Sequence, residues 1–332
     1  MRYFSFLLSV IVLGTFASCK QKSTQTTDEA EKLETAQTIK AADFNADTTY
    51  YFVGQQVKFG PRVPNSKAHK ECATWLEQTL KKYSTQVIVQ PFTAKAYNGT
   101  TLNCKNIIAS FNPKSTTRVL LCSHWDSRPF ADNDPDSVYH STPIDGANDG
   151  ASGVGILLEI SRQLKISPAA IGVDILLLDG EDYGAPQDAG FTGSDDWALG
   201  SQYWSRYPHV PQYSARYGIL LDMVGAENAV FTMEGTSMYY APDIAQRIWN
   251  MGASIGYSDY FSTERTNAIT DDHVYINQLR QVPTIDIIQH DQLTQSGFYK
   301  NWHTIKDNMK GISKPTLMAV GQTVLTVVRS ER

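Results

Sequence analysis

Cysteine is scarce: Cys19, Cys72, Cys104 and Cys122 are the four in 332 residues. If Cys19 is modified, for the reason given below, three remain, and at most one disulfide can form among them within the chain. Cysteine is therefore neither a scaffold nor an obvious metal set, and these three read as buried small hydrophobes. Positive charge is also short. Lysine and arginine number 29 against 34 acids, a net of −5 with no basic cluster, which argues against a general nucleic-acid binder. No internal repeat and no second shift of composition break the sequence after its first part, so one folded domain is the simplest division. Core material is ample: a hydrophobic content of 42% with 19% charged residues describes an ordinary globular chain.

The first residues do not read as part of the fold. Arg2 supplies a minimal positive segment, and the apolar stretch Phe4 to Gly14 is too short to span a bilayer comfortably. Phe16-Ala17-Ser18-Cys19 resembles the cleavage and lipidation box of bacterial lipoproteins, with Phe16 where leucine is usual. A plain secretory signal is the simpler alternative. The expectation is a signal peptide over 1–18, export from the cytoplasm and a lipid anchor at Cys19. The partner is then a membrane of the bacterial envelope, on its periplasmic side. Residues 19–47, dominated by Gln, Thr, Ser, Glu and Lys, read as a polar tether.

Helical periodicity runs over Thr48 to Lys58 and Ala68 to Tyr83, with Trp75, Leu76 and Leu80 on one face of the second. Between them Phe59 to Ser66 holds two prolines and cannot continue a helix. Val87 to Phe92, Asn106 to Phe111 and Arg118 to Ser123 read as strands. Helix and strand then alternate: Ala151 to Lys165, Val173 to Leu178, Trp197 to Tyr207, Ile219 to Leu221, Ala241 to Met251, His273 to Leu279, Thr284 to Ile288, Lys314 to Val328. This predicts an α/β fold with a central, mostly parallel, twisted mixed sheet covered by helices on both faces.

Chemistry-bearing residues gather at the ends of these strands. Ile175 to Leu178 run straight into Asp179-Gly180-Glu181-Asp182, and ligands in open α/β sheets bind just past the carboxyl ends of strands. Such a turn, taken alone, is equally an acidic, solvated loop. His124 and Asp126 follow another strand and, two residues apart, face one crevice, although a hydrogen-bonded surface pair is the bland reading. Asp149 lies in a glycine-dense loop before a helix, where an N-cap is the simple reading. Asp222 ends a third strand, and His303 precedes the last helix after a loop. Five metal-capable side chains, His124, Asp149, Asp182, Asp222 and His303, can thus converge with Glu181 as a spare carboxylate. Carboxylate and imidazole donors without thiolates suit a catalytic Zn²⁺ with an open position.

Taken in order, His124-x-Asp126, Gly146-Ala-Asn-Asp149, Asp179-Gly-Glu181-Asp182, Leu-Leu-Asp222 and Trp302-His303-Thr304 resemble the zinc aminopeptidase and animal-type glutaminyl cyclase superfamily. The resemblance covers about residue 60 to the C-terminus and implies a zinc-dependent catalytic domain over 48–332. It implies one Zn²⁺ per chain held by Asp149, Asp182 and His303 in a cyclase. In a co-catalytic aminopeptidase it implies a second zinc at His124 and Asp222. Three features are similar to the cyclases in particular. These are Thr270-Asp271-Asp272-His273, Trp302 beside the metal histidine, and Gly60-Pro61-Arg62-Val63-Pro64-Asn65-Ser66. The sequence departs from the animal pattern in having Asp182 where those enzymes have the longer Glu. The animal enzymes' aromatic in the loop after Asp182 has no aligned partner; Trp197 either serves instead, from a different backbone position, or, as the simpler reading, is an ordinary core tryptophan.

What the resemblance implies is an acyltransferase that closes an N-terminal glutamine of a peptide or protein into pyroglutamate with release of ammonia. Glu181 is the expected proton shuttle, with Asp222 and Asp271 coupled to it, and Trp302, Phe298 and Ile269 the expected walls around the substrate side chain. The alternative is a di-zinc aminopeptidase in which Glu181 activates water. Asp126 is expected to orient a neighbour, Asp179 to support the turn, and His140, His209 and His290 to be structural or surface residues.

Overall fold

The computed structural model describes residues 40–186, 189–190, 194–291 and 293–332. The expected signal peptide, Cys19 and most of the expected tether lie outside the described residues. The chain runs α1 (Ala46–Val57), α2 (Lys67–Lys81), β1 (Gln86–Lys95), β2 (Thr101–Phe111), β3 (Arg118–His124), α3 (Ala151–Ile166), β4 (Gly172–Leu178) and α4 (Leu199–Arg206). It continues through β5 (Gly218–Asp222), β6 (Phe231–Met233), α5 (Gly235–Tyr240), α6 (Pro242–Ser254), β7 (Phe261–Arg265), α7 (Asp272–Tyr275), β8 (Thr284–Ile288) and α8 (Lys314–Ser330). Asn45 and Ser66 cap the first two helices by accepting from Thr48 N and His69 N, the contact that a short polar side chain before a helix provides.

Six strands form the main sheet in the order β1-β2-β4-β3-β5-β8. The hairpin β1–β2 and the β2–β4 pair are antiparallel, and the β4, β3, β5 and β8 neighbours are parallel. Side-chain alternation splits the core in two. Val119, Leu121, Ile175, Leu177, Ile219 and Leu221 join the larger cluster under α1, α3 and α8. Leu120, Cys122, Leu176, Leu178 and Leu220 join a smaller one with Trp204 of α4 and Ile276 after α7. With both faces covered, β3, β4 and β5 read as continuous apolar runs, and truncating Leu177 to alanine costs about 2–5 kcal/mol. Cys72, Cys104 and Cys122 are free and buried, as expected.

The strand order reverses around β3. From β3 the chain crosses to β4 on one side, and then returns to place β5 on the other. A crevice therefore opens at the carboxyl ends of these three strands. Two features have no counterpart in the sequence reading: α5, and the short parallel pair β6–β7. Three residues of β6 are too few to show a period.

Candidate active site

Each of the three strands around the crevice delivers polar groups to it, at its last residue or in the loop that follows. His124 is the last residue of β3 and Asp222 the last of β5, while the loop after β4 carries Glu181 and Asp182. Asp149 reaches them from the turn before α3. The cap position of that helix is Gly150, and no side chain caps it, so Asp149 is not an N-cap and its carboxylate is free for the site. Only glycine fits at 150, because a Cβ there would lie 2.4 Å from the His124 carbonyl and 2.6 Å from its ring.

Asp149 stands between two histidines. Its Oδ1 is 2.9 Å from His124 Nε2, and its Oδ2 is 3.6 Å from His303 Nε2. His124 Nε2 also lies 3.2 Å from Asp222 Oδ1, and His303 Nε2 lies 3.1 Å from Asp182 Oδ1. Two buried donor triads result, His124–Asp149–Asp222 and Asp149–Asp182–His303, each with donor atoms within 4.8 Å of one another. Apart from the His303 ring, neither oxygen of Asp182 meets a hydrogen-bond donor among the described residues. Buried, convergent and unsatisfied carboxylate and imidazole donors are what a divalent cation neutralises, so the residues present fit zinc.

The backbone around these donors is fixed by further acids. Asp126 accepts from Glu181 N at 3.1 Å and Asp182 N at 3.2 Å. Asp307 does the same for Asn148 N at 2.8 Å and Asp149 N at 3.1 Å. Asp179 turns away from the crevice, facing His69 Nε2 at 2.9 Å and accepting from Lys105 N, which makes it a support of the turn. His303 has φ +53°, a left-handed backbone that costs a non-glycine residue about 1–2 kcal/mol. Its Nδ1 lies 3.3 Å from Asp132, which Arg128 grips with two guanidinium nitrogens at 2.9 and 2.6 Å. Burial raises the Asp132 carboxyl, but Arg128 and His303 outweigh it and hold it below the usual range. A carboxylate behind a ligating imidazole fixes the ring's orientation and tautomer. The sequence reading did not pick out Asp132, because its partner lies 171 positions away.

Burial and crowding set the acids' protonation. Asp182 is pushed up to about 6 and Asp222 to about 7, each first by burial and then by Asp149. Burial also lifts Glu181 well above the usual carboxylate range; His124 opposes this, and Asp271, Asp182 and Asp272 reinforce it. A carboxyl whose proton affinity is raised in this way is suited to pass a proton back and forth.

Above this polar floor lies a pocket of about 440 Å³, walled by Trp197, Ile269, Phe298 and Trp302, with Asp222 and Asp271 at its lining. Trp302 stacks on His303 with ring centroids 3.8 Å apart, and Phe298 lies 4.8 Å from Trp302. All the residues expected at the site from the sequence therefore meet in one place. Of the two readings of Trp197, the structure favours the less simple one. Trp197 is a pocket wall, parallel to His303 at 6.1 Å with the Arg128 guanidinium 4.6 Å over its ring. A Cβ at Gly184 would meet the Trp197 indole at 2.0 Å, so that glycine is what lets the indole reach the crevice. Asp271 both lines the pocket and caps α7 by accepting from Asp272 N.

The family model of peptidase family M28 matches residues 106–328, and the chain belongs to this family. Among solved structures it is similar to a glutaminyl cyclase of Bacteroides thetaiotaomicron bound to N-acetylhistamine, 51% identical with a TM-score of 0.86, over 88% of this chain and all of that one. It is equally similar to a Zn-dependent exopeptidase of Parabacteroides distasonis, 49% identical with a TM-score of 0.87, over 88% of this chain and all of that one. A glutaminyl-peptide cyclotransferase of Gloydius blomhoffii is 29% identical over 64% of this chain, and the match spans 61% of that relative's own length.

Proposed function

We propose that the protein converts the N-terminal glutamine of peptides or proteins to pyroglutamate, using one zinc ion per chain held by Asp149, Asp182 and His303. The observation that carries this reading is the aromatic-walled pocket that holds Glu181 and the shared donors in its lining. Bound there, zinc supplies Lewis-acid polarisation of the substrate's γ-carbonyl. Trp197, Trp302 and Phe298 hold the glutamine side chain curled, so that its Cδ meets its own α-nitrogen, the geometry a five-membered ring needs. Glu181 accepts a proton from the α-ammonium, and the freed amine forms the new C–N bond. Glu181 then returns the proton to the amide nitrogen as the Cδ–N bond breaks, and the ring nitrogen gives up its second proton, again through Glu181, so that ammonia leaves as ammonium. Asp222 and Asp271 face the same space and are placed to hydrogen-bond the departing NH₂. The nucleophile belongs to the substrate, so no serine or cysteine is required.

One observation favours a second reading. The complete triad of His124, Asp149 and Asp222 is also the second half of a two-metal hydrolase, in which Glu181 would activate water for release of an N-terminal residue. Incubation with a Gln-initiated peptide, followed by mass, separates the two: ammonia is lost in one case and a free amino acid appears in the other. A metal count near one per chain is expected, and two tightly held zincs would favour hydrolysis. The reading places the enzyme outside the cytoplasm, on the periplasmic side of an envelope membrane and anchored through Cys19. Cys19→Ala should then move it from the membrane fraction to the soluble one.

A further inference from the structure

The segment that carries the wall residue Trp302 also carries three lysines that the mechanism does not use. Lys300, Lys306 and Lys310 share this stretch with one acid, Asp307. That acid does not neutralise them, because it is buried and turned inward, accepting from Asn148 N and Asp149 N. All three lysines are exposed. Among the described residues the lysines paired to carboxylates are Lys67, Lys81 and Lys314, and these three are not among them. They line one hollow of about 340 Å³ together with Tyr299, and Glu227 is the one acid in its lining. Positive charge is therefore in excess there, in a chain whose net charge is −5. Tyr299 Oη accepts from Asn301 Nδ2 at 2.8 Å, which leaves its hydroxyl hydrogen as a further donor.

Lys300 links this hollow to the active site. It also lines a polar cleft of about 520 Å³ with Thr294, Gln295 and Trp302, and Trp302 in turn walls the pocket that holds Glu181. The three hollows thus share rim residues in succession. Lys300 lies two positions from Trp302, so their Cα atoms are at most about 7 Å apart. An extended peptide advances about 3.3 Å per residue, and a chain leaving the pocket past Trp302 reaches Lys300 within about two or three residues. We infer that the lysine-lined hollow is a subsite for acidic side chains of the substrate. The peptide leaves the glutamine pocket over Trp302, crosses the polar cleft, and sets aspartate or glutamate at about its third to fifth positions against Lys300, Lys306 and Lys310. Lysine suits the task, since a compact ammonium on a flexible stem meets carboxylates in many geometries and selects a charge pattern rather than one sequence. The net negative charge of the chain opposes a nucleic acid as the occupant. The substrate class, an N-terminal glutamine followed closely by acids, rests on the functional reading above.

The test uses the zinc-loaded enzyme and Gln-initiated peptides that differ only at the third to fifth positions, which are all alanine, all glutamate or all lysine. The parent is expected to process the glutamate peptide with a kcat/KM about 5- to 10-fold above that of the alanine peptide, the scale of a few exposed ion pairs, with the gain carried in KM. The preference should vanish in about 1 M salt, where charges are screened beyond about 3 Å. Lys306→Ala/Lys310→Ala is expected to bring the ratio near one. Lys306→Glu/Lys310→Glu is expected to invert it, so that the lysine peptide becomes the better substrate. Each ratio is taken within one protein, so a general loss of activity cancels. If a free amino acid is released in place of ammonia, the functional reading falls, and the same ratios measured on that product still decide the subsite. A glutamate preference that survives the charge reversal overturns the inference, as does a parent that treats the three peptides alike. In that last case, a Tm raised by inorganic phosphate in the parent but not in Lys306→Glu/Lys310→Glu assigns the hollow to a small anion instead.

Discussion

The floor and the wall of the pocket differ in how they are made. Of the floor donors, His124 and Asp222 end strands and Asp182 follows one closely, while Asp149 comes from the turn before α3 and His303 from the segment after β8. Their backbone is pinned by the sheet and by Asp126 and Asp307. The wall comes from loops: Ile269 from the stretch before α7, Phe298 and Trp302 from the segment after β8, and Trp197 from the turn before α4. A rigid floor holds donors to the tolerance a metal demands, while loops can change side chains without disturbing the sheet. The donor floor serves hydrolysis and cyclisation equally well. In the proposed reading, a wall that admits a curled glutamine and excludes larger residues is what selects cyclisation.

Breaking the floor at its proton carrier should have the largest effect. Glu181→Gln is expected to lower kcat about 10²- to 10⁴-fold, the range for a positioned general acid–base, with zinc content unchanged by metal analysis. Retained turnover in that variant would remove Glu181 from the mechanism. Breaking the wall comes next. Trp302→Ala leaves the donors in place, and kcat/KM for a Gln-initiated peptide should fall about 10²-fold through lost orientation. Trp197→Ala tests the same side of the comparison, and parent-like kinetics there would return Trp197 to a packing role. A smaller effect is expected behind the floor: Asp132→Asn should weaken zinc binding about 10- to 100-fold, measured by competition with a chelator and independently of activity.

The smallest effect separates floor from wall by pH. The carboxyls of Asp182 and Asp222 move from 3.8 to about 6 and about 7 on folding. Between those limits the metal-free folded state holds protons that the unfolded chain has released. Their contribution to stability is thus full below pH 3.8 and is lost as pH rises through about 7. Each carboxyl contributes at most about 1.4 kcal/mol per pH unit. The Tm of the metal-free protein should fall across this window, and zinc, which displaces those protons, should bind more tightly as pH rises. Trp302→Ala should leave that slope intact, and a slope that changed with the wall would contradict the division.

The sequence laid out the floor because strand ends announce themselves locally. A run such as Ile175 to Leu178 must be buried, so whatever polar group follows it emerges at the sheet's edge. Three such runs in order located His124, the Glu181–Asp182 pair and Asp222. The element order and the mostly parallel sheet followed from the same alternation of apolar strands and amphipathic helices. Side-chain period, strand propensity and caps are properties of neighbours in the chain, and the sequence by itself determined them. What it did not contain is distance between remote residues. Trp197 read most simply as a core residue because nothing local links it to Gly184, whose missing Cβ leaves room for its indole. Asp132 meets His303 only after the chain has crossed the sheet. Protonation was likewise beyond the sequence, since the shifts of Glu181 and Asp222 come from burial and from acids that folding alone brings together. Local pattern decided which groups the site would have, and tertiary packing decided which of them touch.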